Sequence, residues 1–451
     1  MTRWRSAACV LILMALALGL VLGHVHRYKE ISPVDESQHL DYLIRAGQGH
    51  LVGLGDLLGQ STMRLETCRR LDAAFDVKIR PCVTDAAEQL DPASFQEAGF
   101  NTAAIHPPTY YAIDGAVARI ISAALPGEQD QLTTGRVAGA LWLMAAVGAL
   151  WSMLREFGAD RLVASSLIAL TISAPTVLFA SATITNDGTA LFCGALLIWA
   201  VLRWERGRLP AVIVVLAAAL CAATKVTNLV VVLTVVLYLL MRCDRTRILG
   251  VFAGLRRRTR HGVGIVASDL RRLVMSVAVP LTAVVVMLAW QLVARSIATV
   301  AISEIPMTQR YTVSSFPVGP FVDAWRQTFD PLFAPYLAPF LRTDAVHLTS
   351  GLTAVLLVVL AVTAMVRSAP GSRTRILSVA ALCSALLAGP AIVAFNYVFQ
   401  RVYVDIPFRY ALVVVPAMVA VVGTTLGGPR ARILTAGYAV AGVLSVTIAF
   451  R

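Results

Sequence analysis

The chain has 451 residues, 57% of them hydrophobic and only 14% charged, with a mean hydropathy of +0.73. Soluble domains carry about 25% charged residues, so this composition excludes a water-soluble globule of this size, and the same hydrophobicity excludes intrinsic disorder. The net charge is +13, but the cations fall between apolar runs rather than on one patch. That argues against a nucleic-acid partner and fits the cytoplasmic loops of a membrane protein.

A span needs about 20 mainly apolar residues. The first is 7–23, preceded by Arg3 and Arg5. It reads as an uncleaved signal anchor rather than a cleaved signal peptide, because Leu22-Gly23-His24-Val25 offers no small-x-small site. Further spans follow at 134–154, 162–181, 188–204, 210–224, 226–241, 273–295, 347–366, 376–399, 409–426 and 432–450. The expectation is an all-α polytopic membrane protein with about eleven transmembrane helices.

Orientation follows from the arginines. Clusters in 155–161, 203–208, 242–272, 367–375 and 427–432 mark cytoplasmic loops if the N-terminus is inside. This holds only if Pro107–Leu125, apolar but carrying Asp114, Arg119 and a Pro-Pro start, lies in the outer interface and does not cross. The first outer loop then runs from 24 to 133, far longer than a connector needs. Within it, 35–47 is helix-like, 49–59 is irregular, and Cys68 and Cys82 read as a disulfide in an oxidising compartment. Three regions result: a module 1–241 including that loop, a basic cytoplasmic loop 242–272, and a module 273–451 with a second outer loop at 296–346.

Ionisable groups at the outer boundary carry the functional expectation, because charge is costly there. Asp35 and Glu36, with His39 one turn on, can act as general base or ligands, although an aspartate before a helix is also a cap. Asn186-Asp187 occupies the tight outer turn between the third and fourth spans, where capping is the plainer explanation. Lys225 is one of only three lysines, with Lys29 and Lys78, and the only one between apolar spans; it snorkels or binds an anion. Arg409-Tyr410 opposes the positive-inside trend, so Arg409 pairs with Asp405 or with a phosphate. Two acidic and two cationic places on one face suit chemistry that deprotonates a hydroxyl while stabilising a departing phosphate.

The order Asp35-Glu36 after the first span, His106-Pro107-Pro108-x-Tyr110-Tyr111, Asn186-Asp187, Thr224-Lys225 and Arg409-Tyr410 resembles the GT-C superfamily. That group includes the protein O-mannosyltransferases and the aminoarabinose transferases of lipid A. The resemblance is clearest over 30–230. It implies a GT-C-like bundle in the cell membrane that transfers sugar, on the extracytoplasmic face, from a polyprenyl-phosphate donor to an envelope glycan, lipid or protein. It further implies Asp35 as general base, oriented with the sugar by Glu36 and His39, and Asp187 as the acid of the second outer loop. Lys225 and Arg409 would hold the lipid phosphate. His106, Tyr110, Asn186 and Tyr410 would complete substrate binding. No cofactor is certain, though a divalent cation (Mg or Mn) is an option; no protein metal site is expected. The large soluble C-terminal domain of better-known members is missing, which leaves the acceptor open. The rival readings are a transporter or flippase of a lipid-linked glycan, and a non-catalytic membrane subunit.

Overall fold

The computed structural model describes residues 2–71, 81–125, 130–243, 260–329, 332 and 343–451. Most of the basic loop (244–259), Gly127 and much of 330–342 therefore lie outside the described residues. Among the described residues the chain is helical, with isolated β-bridges in place of strands. Eight helices there are long and apolar enough to cross a membrane, or nine if one bent pair is a single span.

The helix α1 (Thr2–Arg27) leads into the long segment 24–133, expected to be the first outer loop, which folds as α2 (Glu36–Gly47), α3 (Gln60–Arg69) and α4 (Thr109–Ala124). The bundle continues as α5 (Gln131–Ala138), α6 (Ala140–Phe157), α7 (Arg161–Ile172), α8 (Pro175–Ala182), α9 (Ala190–Glu205), α10 (Ala211–Thr224) and α11 (Leu229–Arg242). The second half holds α12 (Arg260–Ile297), α13 (Pro306–Tyr311), α14 (Val318–Phe329), α15 (Asp344–Arg367), α16 (Arg373–Gln400), α17 (Val415–Thr425) and α18 (Pro429–Ala449). Every apolar segment expected to span falls on helix, but several are not simple rods. The segment 162–181 breaks into α7 and α8 at 65°, because Pro175 removes an amide and pushes Ala174 out of helical backbone. The segments 210–224 and 226–241 become the short helices α10 and α11, which meet at Lys225.

Start signals are local. Asp130, Asp160, Thr343 and Ser372 each accept an amide hydrogen bond at a helix N-terminus. Gly158, at φ 106°, ends α6 in a left-handed turn that favours glycine. One large apolar core fills the bundle between α1, α6, α9, α11, α16 and α17. The far sides of α12, α15 and α18 instead expose Leu281, Leu288, Leu292, Leu348, Val355, Leu434 and Leu444, as lipid-facing helices do.

The outer loop has its own core, in which Tyr42, Tyr110, Tyr111, Leu132, Trp142 and Ile184 are buried. The helix α4 packs on α2 and α5 and is not among the spanning helices. Gly47 and Gly115 permit the α2–α4 crossing, since a Cβ on Gly115 would lie 2.5 Å from the Leu43 carbonyl oxygen. A disulfide joins Cys68 to Cys82, as expected of two cysteines in an oxidising compartment.

The arginine-rich loops gather at one end. Arg206 and Arg208 pair with Glu156, and Arg432 with Asp160. Buried Glu205 faces Arg242, Arg272 and Arg373 and accepts a hydrogen bond from Tyr238 at 2.6 Å. The opposite end carries the acids and cations singled out above.

Candidate functional site

The turn into α2 separates two adjacent carboxylates. Asp35 takes left-handed backbone (φ 58°), a conformation that aspartate tolerates better than most residues, and its side chain makes no capping hydrogen bond. Among the described residues the half-buried Asp35 carboxylate has no hydrogen-bonding partner. Glu36 points the other way and is saturated. It accepts hydrogen bonds from Arg136 Nε at 2.8 Å and Nη2 at 2.6 Å, from the Ser32 amide at 2.7 Å and from the Ile184 amide at 2.9 Å. Arg136 also donates to the Tyr28 and Glu30 carbonyls. Glu36, expected among the catalytic acids, thus has no oxygen left for a substrate; it ties α1, α2, α5 and the 183–187 turn together.

That turn delivers Asp187. The helix α8 is short, and Thr185 accepts from the Asp187 amide to start a tight turn over Asn186–Thr189. The Asp187 carboxylate is fully engaged: Lys225 Nζ donates to Oδ1 at 2.5 Å and Arg409 Nε to Oδ2 at 2.8 Å. The two cations come from the α10–α11 break and from a turn of 3-10 helix at Phe408–Val414. All three side chains are at most 10% exposed. Tyr410 backs the pair, its ring 4.8 Å from Lys225 Nζ and 5.4 Å from Arg409 Cζ. The Arg409 terminal nitrogens carry no hydrogen bond among the described residues, so a buried guanidinium is left with unused donors. Arg409 pairs with Asp187, not with Asp405, whose carboxylate takes the Tyr403 hydroxyl.

Asp35 lies within electrostatic reach of this cluster. Burial holds its carboxyl above the usual carboxylate range, and Arg409 exerts the strongest opposing pull, with Lys225 acting the same way. His39 and His106 stack with ring centres 5.7 Å apart, and the Tyr111 hydroxyl lies 2.6 Å from His39 Nδ1. Burial, and then the stacked His106, keep His39 well below its usual value, and burial pushes His106 down to about 3. Both rings are therefore neutral near pH 7.

The remaining expected residues lie at the edges. Tyr110 is buried, its ring against those of Tyr111 and Trp142. Asn186 Nδ2 reaches the Thr224 carbonyl at 3.5 Å, and its Oδ1 has no partner among the described residues. The second outer loop closes over the first: the Thr299 amide donates to the Leu54 carbonyl, Arg310 pairs with Glu97 at 2.5 Å, and Val313 and Tyr403 lace it to the strand-like stretch before Arg409.

Sequence reasoning passed over Arg136, Asp41, Glu97 and Arg310. Arg136 had a readable signal, since under the expected orientation it falls at the outer end of a span, against the trend that singled out Arg409. Asp41 accepts from the Gly59 amide, Thr62 and Asn101 and is a loop organiser.

A hard divalent cation needs several oxygens. Both Asp187 oxygens are held by cations, Asp35 is alone, and among the described residues no three of His, Cys, Asp or Glu converge. The donor set does not fit such an ion. It fits an anion. Comparison with protein-family models, curated proteins and solved structures finds no match to this chain.

Proposed function

We propose that the protein is a membrane glycosyltransferase of GT-C type, working on the extracytoplasmic face of the cell membrane with a polyprenyl-phosphate sugar as donor. One observation carries the reading: two buried cations, Lys225 and Arg409, share a charge that Asp187 only half neutralises, within electrostatic reach of the unpartnered carboxylate Asp35. That is a place for a phosphate monoanion within reach of a base.

In this reading the donor phosphate rests on Lys225 Nζ and the free Arg409 nitrogens. An acceptor hydroxyl lies against Asp35. Asp35 takes the hydroxyl proton as the oxygen bonds to the anomeric carbon, and the bond from that carbon to the phosphate oxygen breaks. Its electron pair leaves with the polyprenyl phosphate, and the configuration inverts. Preorganised charge on the departing phosphate is the largest contribution, as is usual for such sites. Asp187 orients the two cations and has no free oxygen for a proton. His39, His106 and Tyr111 supply a neutral wall for the sugar. Eleven crossings with the N-terminus inside would put the arginine-bonded end in the cytoplasm and this site outside.

The 65° break between α7 and α8 favours a second reading, because transporters use broken helices. The break, however, carries only Ser173 and Thr176 as polar groups, and the charges lie at the bundle's end. Purified protein in lipid nanodiscs should convert labelled polyprenyl-phosphate sugars to free polyprenyl phosphate when given envelope acceptors. A flippase would instead move the intact donor across vesicles without cleaving it.

A further inference from the structure

Among the described residues, no backbone hydrogen bond joins the turn that carries Asp187 to the one that carries Lys225. Each interrupts the run of helix, one as a 3-10 turn at Asn186–Thr189, the other as a 3-10 turn at Val226–Asn228 that follows the extended Lys225. A side-chain bridge joins them instead. Asn228 Nδ2 donates to Thr189 Oγ1 at 3.1 Å and to Thr224 Oγ1 at 3.0 Å. Each hydroxyl spends its own hydrogen on a carbonyl: Thr189 on Asn186 at 2.9 Å, Thr224 on Leu220 and Cys221 at 3.0 and 3.1 Å. Both oxygens therefore accept from Asn228, which fixes the orientation of its amide and uses both of its N–H groups. Asn228, Thr189 and Thr224 are at most 1% exposed, so removing one member leaves buried polar groups unsatisfied.

We propose that Asn228 is a positioning residue of the anion site, holding Asp187 and Lys225 in register through Thr189 and Thr224. This rests on the reading of Lys225 and Arg409 as the cradle for a phosphate. In the empty protein the 2.5 Å bond from Lys225 Nζ to Asp187 already clamps the two turns. A phosphate arriving on Lys225 competes with Asp187 for that ammonium, and the ion pair then clamps them less. The Asn228 bridge is neutral, and the ligand does not draw on it. It keeps the turns at the spacing that binds phosphate, so the donors need not rearrange as charge arrives. Asp187 sets the charge of the cluster and Asn228 its geometry, although the Asn228 side chain bonds to none of the charged groups.

The test is calorimetric titration of the full-length protein in detergent with a short-chain prenyl phosphate and with the uncharged prenyl alcohol, beside thermal unfolding of the empty protein. Asn228→Leu removes the donors at similar volume. Thr189→Val removes one hydroxyl at constant shape, and Thr189→Ser keeps it. Asn228→Leu and Thr189→Val should bind prenyl phosphate roughly three- to tenfold more weakly, the scale of one hydrogen bond, while Thr189→Ser binds it close to wild type. All three should still unfold cooperatively, since the ion pairs on Asp187 remain, and the alcohol should not distinguish them. Wild-type affinity in both Asn228→Leu and Thr189→Val overturns the inference and leaves the phosphate reading intact. Weakening in Thr189→Ser equal to that in Thr189→Val does the same, because it marks a packing effect. A wild-type protein that binds prenyl phosphate no better than the alcohol overturns the phosphate reading, and the inference with it.

Discussion

Asp187→Asn is the sharpest probe of the charge cluster, because it should weaken the empty protein and strengthen its grip on phosphate. The substitution keeps volume but removes the one anion touching Lys225 Nζ and Arg409 Nε. Taking one partner from a buried ion pair costs about 3–5 kcal/mol. Coulomb repulsion gives the same scale: two unit charges about 5–6 Å apart repel by about 3 kcal/mol at an effective dielectric of about 20. Net charge at the triad rises from one positive unit to two, so a phosphate now replaces the missing carboxylate. Thermal unfolding in detergent, with and without a short-chain prenyl phosphate, reads both effects. The empty variant should melt several degrees below wild type, and prenyl phosphate should raise its melting temperature more than it raises that of wild type, by binding linkage. The uncharged prenyl alcohol should do neither. Equal melting of the two empty proteins, or equal rescue by the alcohol, would refute the reasoning.

Arg136→Met strands the buried Glu36 carboxylate and should destabilise the protein by about 3–5 kcal/mol, with Glu36→Gln added to it restoring part of the loss; unchanged thermal unfolding would contradict this role. Gly194→Ala would place a Cβ 2.2 Å from the Val413 carbonyl oxygen, in the turn that carries Arg409. A displacement of about 1 Å there should lower turnover by up to about 10²-fold with the protein still folded, as checked by kinetics beside thermal melting. Asp35 must be ionised to act, and its carboxyl is held above the ordinary value. Turnover should therefore fall as pH drops through that raised value, and the acid limb of the pH–rate profile should vanish in Asp35→Asn.

The helical framework was largely legible because span length and arginine placement are additive properties of the chain. Local counting failed where a proline cut a span, since Pro175 bends 162–181, whereas the break at Lys225 coincides with the boundary already read between 210–224 and 226–241. At the candidate site, residue type and sidedness singled out Asp35, Lys225 and Arg409, and the structure brings the two cations together on Asp187. Type and sidedness could not distinguish Asp35 from Glu36, since that choice turns on one left-handed residue and on Arg136, a hundred positions away. Nor could they show that Asp187 is bound by both cations. Glu97 and Arg310 are 213 positions apart and lie in polar loops without periodicity, so nothing in the chain paired them.

The central claim is that Asp35 serves the acceptor while Lys225 and Arg409 serve the donor phosphate. The direct measurement is turnover and donor binding of Asp35→Asn and Lys225→Met side by side, with a labelled polyprenyl-phosphate sugar and both variants shown to be folded. Asp35→Asn should lose roughly 10²–10⁴-fold in turnover, the usual contribution of a positioned base, with donor binding nearly unchanged. Lys225→Met should lose donor affinity as well as rate, since its charge acts in both ground and transition states. Near wild-type turnover in Asp35→Asn, or normal donor binding and activity in Lys225→Met, would contradict the account.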